Sequence, residues 1–270
     1  MASYRILLTG AHGFLGPYAY AALCRAGHRV IATARAGSDA DCDLLQPAAV
    51  DRLLAAVQPD LVLQLAAMAR LSDCAANPAI AYATNVAMPQ RFAQRLGGRL
   101  LQVSTDLVFD GRGAPYGEHA MPAPLSVYGA SKAEGELAVL QHGGRVVRLP
   151  LLFGPDVRGR GATASLRQAL ASGQPVSLFT NEYRTPLHAA DAAEGLAECL
   201  LLADGPRVLH LAGPERCSRW ELGQRFCALH GLPAELLQPV ECQDVERPRD
   251  VSLVGSWQAS RSLAAMLGDG

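Results

Sequence analysis

The chain has 270 residues, half of them hydrophobic, and a formal net charge of −1. That suits one large α/β domain, or a large domain with a small lobe, and the lack of a basic stripe argues against nucleic acid as a partner. Apolar runs such as residues 62–69 are too short to cross a bilayer, and seven scattered cysteines with no CxxC pair read as reduced thiols in a cytoplasmic protein, with no metal-ligating cluster.

The first residues run straight into a strand over 4–9, with no signal-peptide pattern. Gly10, Gly13 and Gly16 follow in a GxxGxxG spacing, with His12, Phe14 and Leu15 between them, and a helix is predicted over 17–26, ended by Gly27. Gly10 permits the turn and Gly13 lets the backbone approach a pyrophosphate. Gly16 lets the helix pack close, and the helix N-terminus faces the anion. The spacing differs from the GxGxxG fingerprint by one residue, so strand, glycine turn and helix together carry the expectation of a dinucleotide site. A second strand over 29–34 ends in Thr33-Ala34-Arg35, where sites that prefer NAD usually carry an acid. Arg35 suits a 2′-phosphate, which favours NADP and leaves NAD open. Asp43, followed by Leu44, sits against the adenine edge or caps the helix predicted over 47–57.

Residues 60–66 read as a strand in the middle of a parallel sheet, and Leu65, Ala66 and Ala67 at its carboxyl end are placed beneath the cofactor. One long helix is predicted over 78–96, with Asn85 either solvated or bracing the catalytic strand. The next strand, 100–106, ends in Ser104, Thr105 and Asp106. Tyr128 and Lys132 then stand one helical turn apart. At about 4 Å and an effective dielectric of about 20, an ammonium favours a phenolate by roughly 4 kcal/mol. That is about three pKa units, enough to bring a phenol from near ~10 into the range of neutral acid–base work. A lone YxxxK is more readily a surface pair. Its combination with a glycine turn and a hydroxyl-ended strand makes it a catalytic candidate.

A strand over 145–149 leads to Pro150, expected to border the nicotinamide. A loop over 155–161, a helix over 162–172 and a strand over 176–179 follow. Asp191 is expected to cap a helix over 192–202, with His188 packed rather than acting as a base. A strand over 208–212, a Ser218-capped helix reaching His230 with Trp220 in the lobe core, and a terminal helix over 259–267 complete the reading.

Four pieces, TGAHGFLG at 9–16, LAAMA at 65–69, VSTDLVFDG at 103–111 and YGASK at 128–132, resemble the extended short-chain dehydrogenase/reductase family. The third resembles its dTDP-4-dehydrorhamnose reductase branch, whose relatives include the regulatory subunit of methionine adenosyltransferase. The resemblance runs from Tyr4 to about Leu267 and is strongest through Gly154. It implies an α/β fold: a Rossmann-type doubly wound parallel sheet, mainly 1–154, with a small C-terminal substrate lobe, mainly 155–270, interleaved with returning Rossmann elements near 185–212. It implies Thr105, Tyr128 and Lys132 as the catalytic set, with Ser104, Tyr128, Lys132 and Pro150 also touching the cofactor. It turns Asp106 and the basic residues Arg184 and Arg247 toward substrate. The implied activity is NADP-dependent reduction of a keto group on a nucleotide-linked sugar. The alternatives are an epimerase or dehydratase, weakened because Asp106-Leu107 follows Thr105 where dehydratases commonly carry Asp-Glu, and a nucleotide-bound regulatory subunit. The expected partner is a small nucleotide-sugar, and a homodimer is the candidate assembly.

Overall fold

The computed structural model describes residues 3–202 and 205–269. Short apolar runs alternate with helices through the first 150 residues, and each run becomes a strand. These are β1 (Arg5–Thr9), β2 (Arg29–Thr33), β3 (Leu61–Gln64), β4 (Leu100–Thr105) and β5 (Arg145–Leu149). Between them lie α1 (Gly16–Arg25), α2 (Pro47–Val57), α3 (Leu71–Ala76), α4 (Pro78–Tyr82), α5 (Met88–Leu96) and α6 (Val127–Gln141). Next come β6 (Leu152–Phe153), α7 (Ala162–Ala171), β7 (Val176–Phe179), β8 (Tyr183–Arg184), β9 (Leu187–His188) and α8 (Ala189–Leu201). The chain ends with β10 (Val208–Ala212), β11 (Cys217–Ser218), α9 (Arg219–His230), β12 (Leu237–Val240), β13 (Trp257–Gln258) and α10 (Leu263–Gly268).

Seven strands form one sheet in the order β13-β10-β5-β4-β3-β1-β2, every pairing parallel. A parallel sheet covered on both faces needs apolar residues at successive positions, because strand side chains alternate. Ile6, Leu8, Leu63, Leu101 and Val147 face α1 and α8 in one core. Leu7, Val62, Leu100 and Val146 face α2, α5 and α6 in the other. The seventh strand, β13, was not foreseen in the sequence. In the smaller lobe β7 pairs in parallel with β12, and β8 pairs antiparallel with β11. The lobe's helices α7 and α9 join the core through Leu166, Leu170, Leu222 and Phe226.

The chain steps from β1 outward to β2 and then back across to β3, so the strand order reverses between β1 and β3. A crevice therefore opens at the carboxyl ends of these two strands, where open α/β sheets take ligands.

Four local expectations are corrected. The helix over 78–96 is interrupted by a π turn at Ala83–Ala87. Pro89 has no amide to offer the carbonyl of Asn85 four residues back, so the turn widens there. Asp191 does not cap α8: the helix begins at Ala189, His188 is the cap and accepts from the Ala190 amide at 3.2 Å. Asp191 in the first turn instead binds the Arg261 guanidinium through both carboxylate oxygens. The cap position of α2 belongs to Gln46, while Asp43 accepts from the Leu45 amide at 3.1 Å in the preceding turn. The last helix also starts later than expected, at Leu263, where the Ser262 hydroxyl caps it.

Candidate active site

The glycine turn is built by close approach. Gly10 has φ +68°, and a Cβ there would lie 2.7 Å from the Ala66 nitrogen at the end of β3. A Cβ at Gly16 would lie 2.2 Å from the Ala11 carbonyl oxygen, so the start of α1 packs directly on the turn. The N-terminus of α1 carries no side-chain cap, which leaves its amides for another acceptor. Thr9 ties the turn to β3: its hydroxyl donates to Gln64 and accepts from the amides of Leu65 and Ala66 at 3.1 and 3.2 Å.

A cavity of about 490 Å³ opens beside this turn. Gly10, Thr33, Ala34, Arg35, Asp43, Leu44, Ala67 and Met68 line it. Arg35 is exposed at its rim, and β2 ends in Thr33 rather than in an acid. These residues fit a dinucleotide: a turn with room only for glycine, an open helix N-terminus and an apolar slot ending in a cation.

Met68 also belongs to the small cluster around Tyr128 and Cys74, so cavity and catalytic candidates share a wall. Tyr128, Lys132 and Glu136 follow one another at helical spacing on the buried side of α6. The Lys132 ammonium donates to the Val103 carbonyl at 2.6 Å. Glu136, one turn further, holds Arg148 of β5 in a buried ion pair at 2.7 Å and seats the helix on the sheet. Asn85 donates to the Ser131 hydroxyl and the Met68 carbonyl and accepts from the Met68 amide, each at 3.0 Å. It thus braces the loop after β3 and helix α6, not strand β4.

Thr105 ends β4 with its hydroxyl 3.2 Å from Asp106 Oδ1, accepting from the Leu107 amide at 3.2 Å. It also stands near enough to the Tyr128 phenol to pull its pKa down. Strand alternation turns Ser104 the other way, and its buried hydroxyl has no hydrogen-bond partner among the described residues. Thr105, not Ser104, is therefore the hydroxyl brought to Tyr128. Burial pushes the Tyr128 phenol well up, and the nearby Thr105 hydroxyl offsets only part of that. The same burial pulls Lys132 down to about 8, against the opposing pull of Glu136. The expected depression of the phenol by Lys132 is absent because the ammonium is engaged by the Val103 carbonyl and both groups are desolvated.

Asp106 is buried 3.5 Å from the Arg184 guanidinium. Arg247 makes a two-point pair with Glu182 at 2.5 and 2.9 Å and lies over the Phe179 ring. Arg219, unforeseen in the sequence, joins them: its charge acts on Arg184, Glu182 and Arg247. Three guanidiniums against Asp106 and Glu182 leave the cluster one net positive charge. A legible signal for Arg219 existed, since a cation in the first helical turn after the Ser218 cap opposes the helix dipole. His188 is buried, and burial and Arg261 pull its pKa down, so it packs as a neutral ring. Pro150 is buried at the end of β5. Among the described residues no helix is long and apolar enough to cross a membrane, and no group of three or more His, Cys, Asp or Glu could hold a metal ion.

Residues 4–260 match the family model described as the RmlD substrate binding domain. The dTDP-4-dehydrorhamnose reductase of Mycobacterium tuberculosis is 34% identical over 259 residues, covering 91% of this chain and 82% of that protein. The methionine adenosyltransferase 2 subunit beta of Xenopus laevis is 30% identical over 260 residues, covering 90% and 77%. A crystal structure of dTDP-4-dehydrorhamnose reductase from Bacillus anthracis in complex with NADP superposes with a TM-score of 0.88 at 21% identity over 98% of each chain. Fold, site geometry and sequence agree, and the chain belongs to the dTDP-4-dehydrorhamnose reductase-like branch of the extended short-chain dehydrogenase/reductase family.

Proposed function

We propose that the chain reduces a keto group on a nucleotide-activated sugar, using NADPH in preference to NADH. The observation that carries this is the gathering of Thr105, Tyr128 and Lys132 from two separate elements against a wall shared with the glycine-turn cavity. The nicotinamide, when bound, supplies the hydride. Gly10, Gly13 and Gly16, with the backbone of His12, Phe14 and Leu15, form the seat of the pyrophosphate. Arg35 receives the 2′-phosphate, Asp43 and Leu44 border the adenosine, and Leu65, Ala66 and Ala67 form the floor, with Ser104 and Pro150 at the nicotinamide end. Lys132 holds the ribose hydroxyls, Thr105 orients the ketone oxygen, and Tyr128 donates its proton to that oxygen. Because burial keeps Tyr128 protonated, it begins each cycle as an acid, which reduction requires. The net positive cluster of Arg184, Arg219 and Arg247 suits the diphosphate of the substrate. All seven cysteines are unpaired and six are buried, which supports a cytoplasmic setting.

The test is NADPH oxidation across a panel of keto sugar nucleotides, wild type beside Tyr128→Phe. The variant is expected to lose about 10²–10⁴-fold in kcat, while still binding NADPH. Equal rates would remove Tyr128 from the chemistry. A second reading, a regulatory subunit, has the 30% identity to methionine adenosyltransferase 2 subunit beta in its favour. It gains if the wild type oxidises no NADPH with any sugar and instead binds a methionine adenosyltransferase tightly.

A further inference from the structure

We infer that Arg160, carried by the loop 155–161 of the smaller lobe, is a ligand of the cofactor's pyrophosphate and slows the release of the bound nucleotide. The inference rests on the dinucleotide reading above and adds a residue from outside the glycine turn.

The glycine turn has no full positive charge of its own. Residues 9–16 hold no lysine or arginine, and α1 opens with neither an acid nor a side-chain cap. A helix N-terminus supplies about half an elementary charge, whereas a pyrophosphate is a dianion. Such a seat gains from a cation brought from elsewhere in the chain. Arg160 stands 148 residues on from His12, and its Nη1 donates to the His12 carbonyl at 2.6 Å. His12 and Gly13 are exposed beside it, so the seat stays open to a ligand.

The guanidinium is held in place by its own loop. Asp156 accepts from Nε at 3.0 Å and from Nη2 at 2.7 Å. It also accepts from the Arg160 and Arg158 amides at 2.9 and 3.1 Å. The hydrogen bond from Arg160 brings the Asp156 carboxyl down to about 2, so the pair stays ionised at neutral pH. Asp156 takes the Nε–Nη2 edge, which leaves Nη1 as the end turned to the glycine turn. Of the five N–H bonds of an arginine, three are engaged, and two remain open among the described residues.

Two further contacts seat the same loop on the same turn. The Tyr18 hydroxyl of α1 donates to the Pro155 carbonyl at 2.6 Å. A Cβ on Gly161 would stand 2.6 Å from the Phe14 ring. The loop thus meets the turn at both of its ends and at Arg160. Because Asp156 offsets the charge of Arg160, the gain to the nucleotide is that of directed hydrogen bonds to an anion rather than of net charge.

The experiment measures release of NADPH and NADH by a fluorescence chase with excess oxidised nucleotide. Wild type is compared with a double variant, Asp156→Asn with Arg160→Met. Removing both members leaves the net charge as it was, so no unpaired carboxylate repels the ligand. Release from the variant should be about tenfold faster, the loss of a charged hydrogen bond, with association within about threefold of wild type. Both nucleotides should respond alike, since both carry the pyrophosphate. Arg160→Lys keeps the ion pair but loses the Nη1 bond to His12, and it should also speed release; it serves if the double variant does not fold. Tyr18→Phe loosens the loop at Pro155 without touching the guanidinium and should leave release unchanged. Equal release from wild type and the double variant overturns the inference and leaves the dinucleotide site standing. Tyr18→Phe releasing as fast as the double variant overturns it too, because loop seating would then hold the nucleotide. A wild type that binds neither nucleotide removes the cofactor reading as well.

Discussion

Lys132 shows what the active site costs at the level of one residue. Its pKa of about 8 in the folded chain lies below the ordinary 10.5 because burial disfavours the ammonium. Between those two values the unfolded chain holds more protons on this group than the folded chain. Stability from this group therefore rises with pH across that window, and the full penalty is present below about pH 8. The gap corresponds to about 3 kcal/mol. Lys132→Met, which keeps the length and drops the charge, should stabilise the ligand-free protein by about 1–3 kcal/mol at pH 7. Loss of the bond to the Val103 carbonyl absorbs the remainder. The gain should fade toward pH 10, and catalytic activity should be lost. Urea denaturation at the two pH values checks this; equal stability at pH 7 would show that the penalty is not there.

Among the elements, the π turn and α6 cross in direct backbone contact. The Asn85 carbonyl, released by Pro89, points at Gly135, where a Cβ would lie 2.0 Å from its oxygen. Overpacking against a backbone atom cannot be relieved by a rotamer change. Gly135→Ala is expected to destabilise the fold by about 3 kcal/mol, read as a shift in denaturation midpoint. Activity should fall with it, because the same turn carries the Asn85 side chain that holds Ser131 and Met68. An alanine variant with wild-type stability would mean that the two helices are not pressed together at this point.

Across the whole molecule, the two lobes meet over the glycine turn. Arg160, from the loop before α7, donates to the His12 carbonyl at 2.6 Å, and the Phe14 ring covers Gly161. A dinucleotide seated there touches both lobes and should stabilise the fold as a unit. At about 100 times Kd, NADPH should add about 2.7 kcal/mol, roughly 5–10 °C in Tm for a chain of this size. Arg35→Ala should weaken NADPH binding about tenfold, the loss of one charged hydrogen bond, and leave NADH binding unchanged. Thermal shift with each cofactor measures both. Loss of NADH binding in this variant would assign Arg35 a structural role instead.

Much of this was legible in the residue order, and the reason is physical. Apolar runs of strand length, a glycine turn before a helix, and Tyr128 one turn from Lys132 are local patterns, and local patterns depend on near neighbours. For that reason α2, β4, β5, β7 and β10 stand where the periodicity put them. Other outcomes depend on partners far along the chain. His188 rather than Asp191 caps α8 because Arg261, 70 residues on, claims the aspartate. By residue type Ser104 and Thr105 are alike; the family resemblance points to Thr105, and the strand's facing direction turns that residue, not Ser104, toward Tyr128. Burial, which no short window reports, turned the expected fall of the Tyr128 pKa into a rise. The sequence by itself determined six of the seven strands of the sheet, the glycine turn and the pairing of Tyr128 with Lys132. The tertiary structure decided which groups were desolvated, and hence which protons were held, because burial depends on residues far apart in the chain.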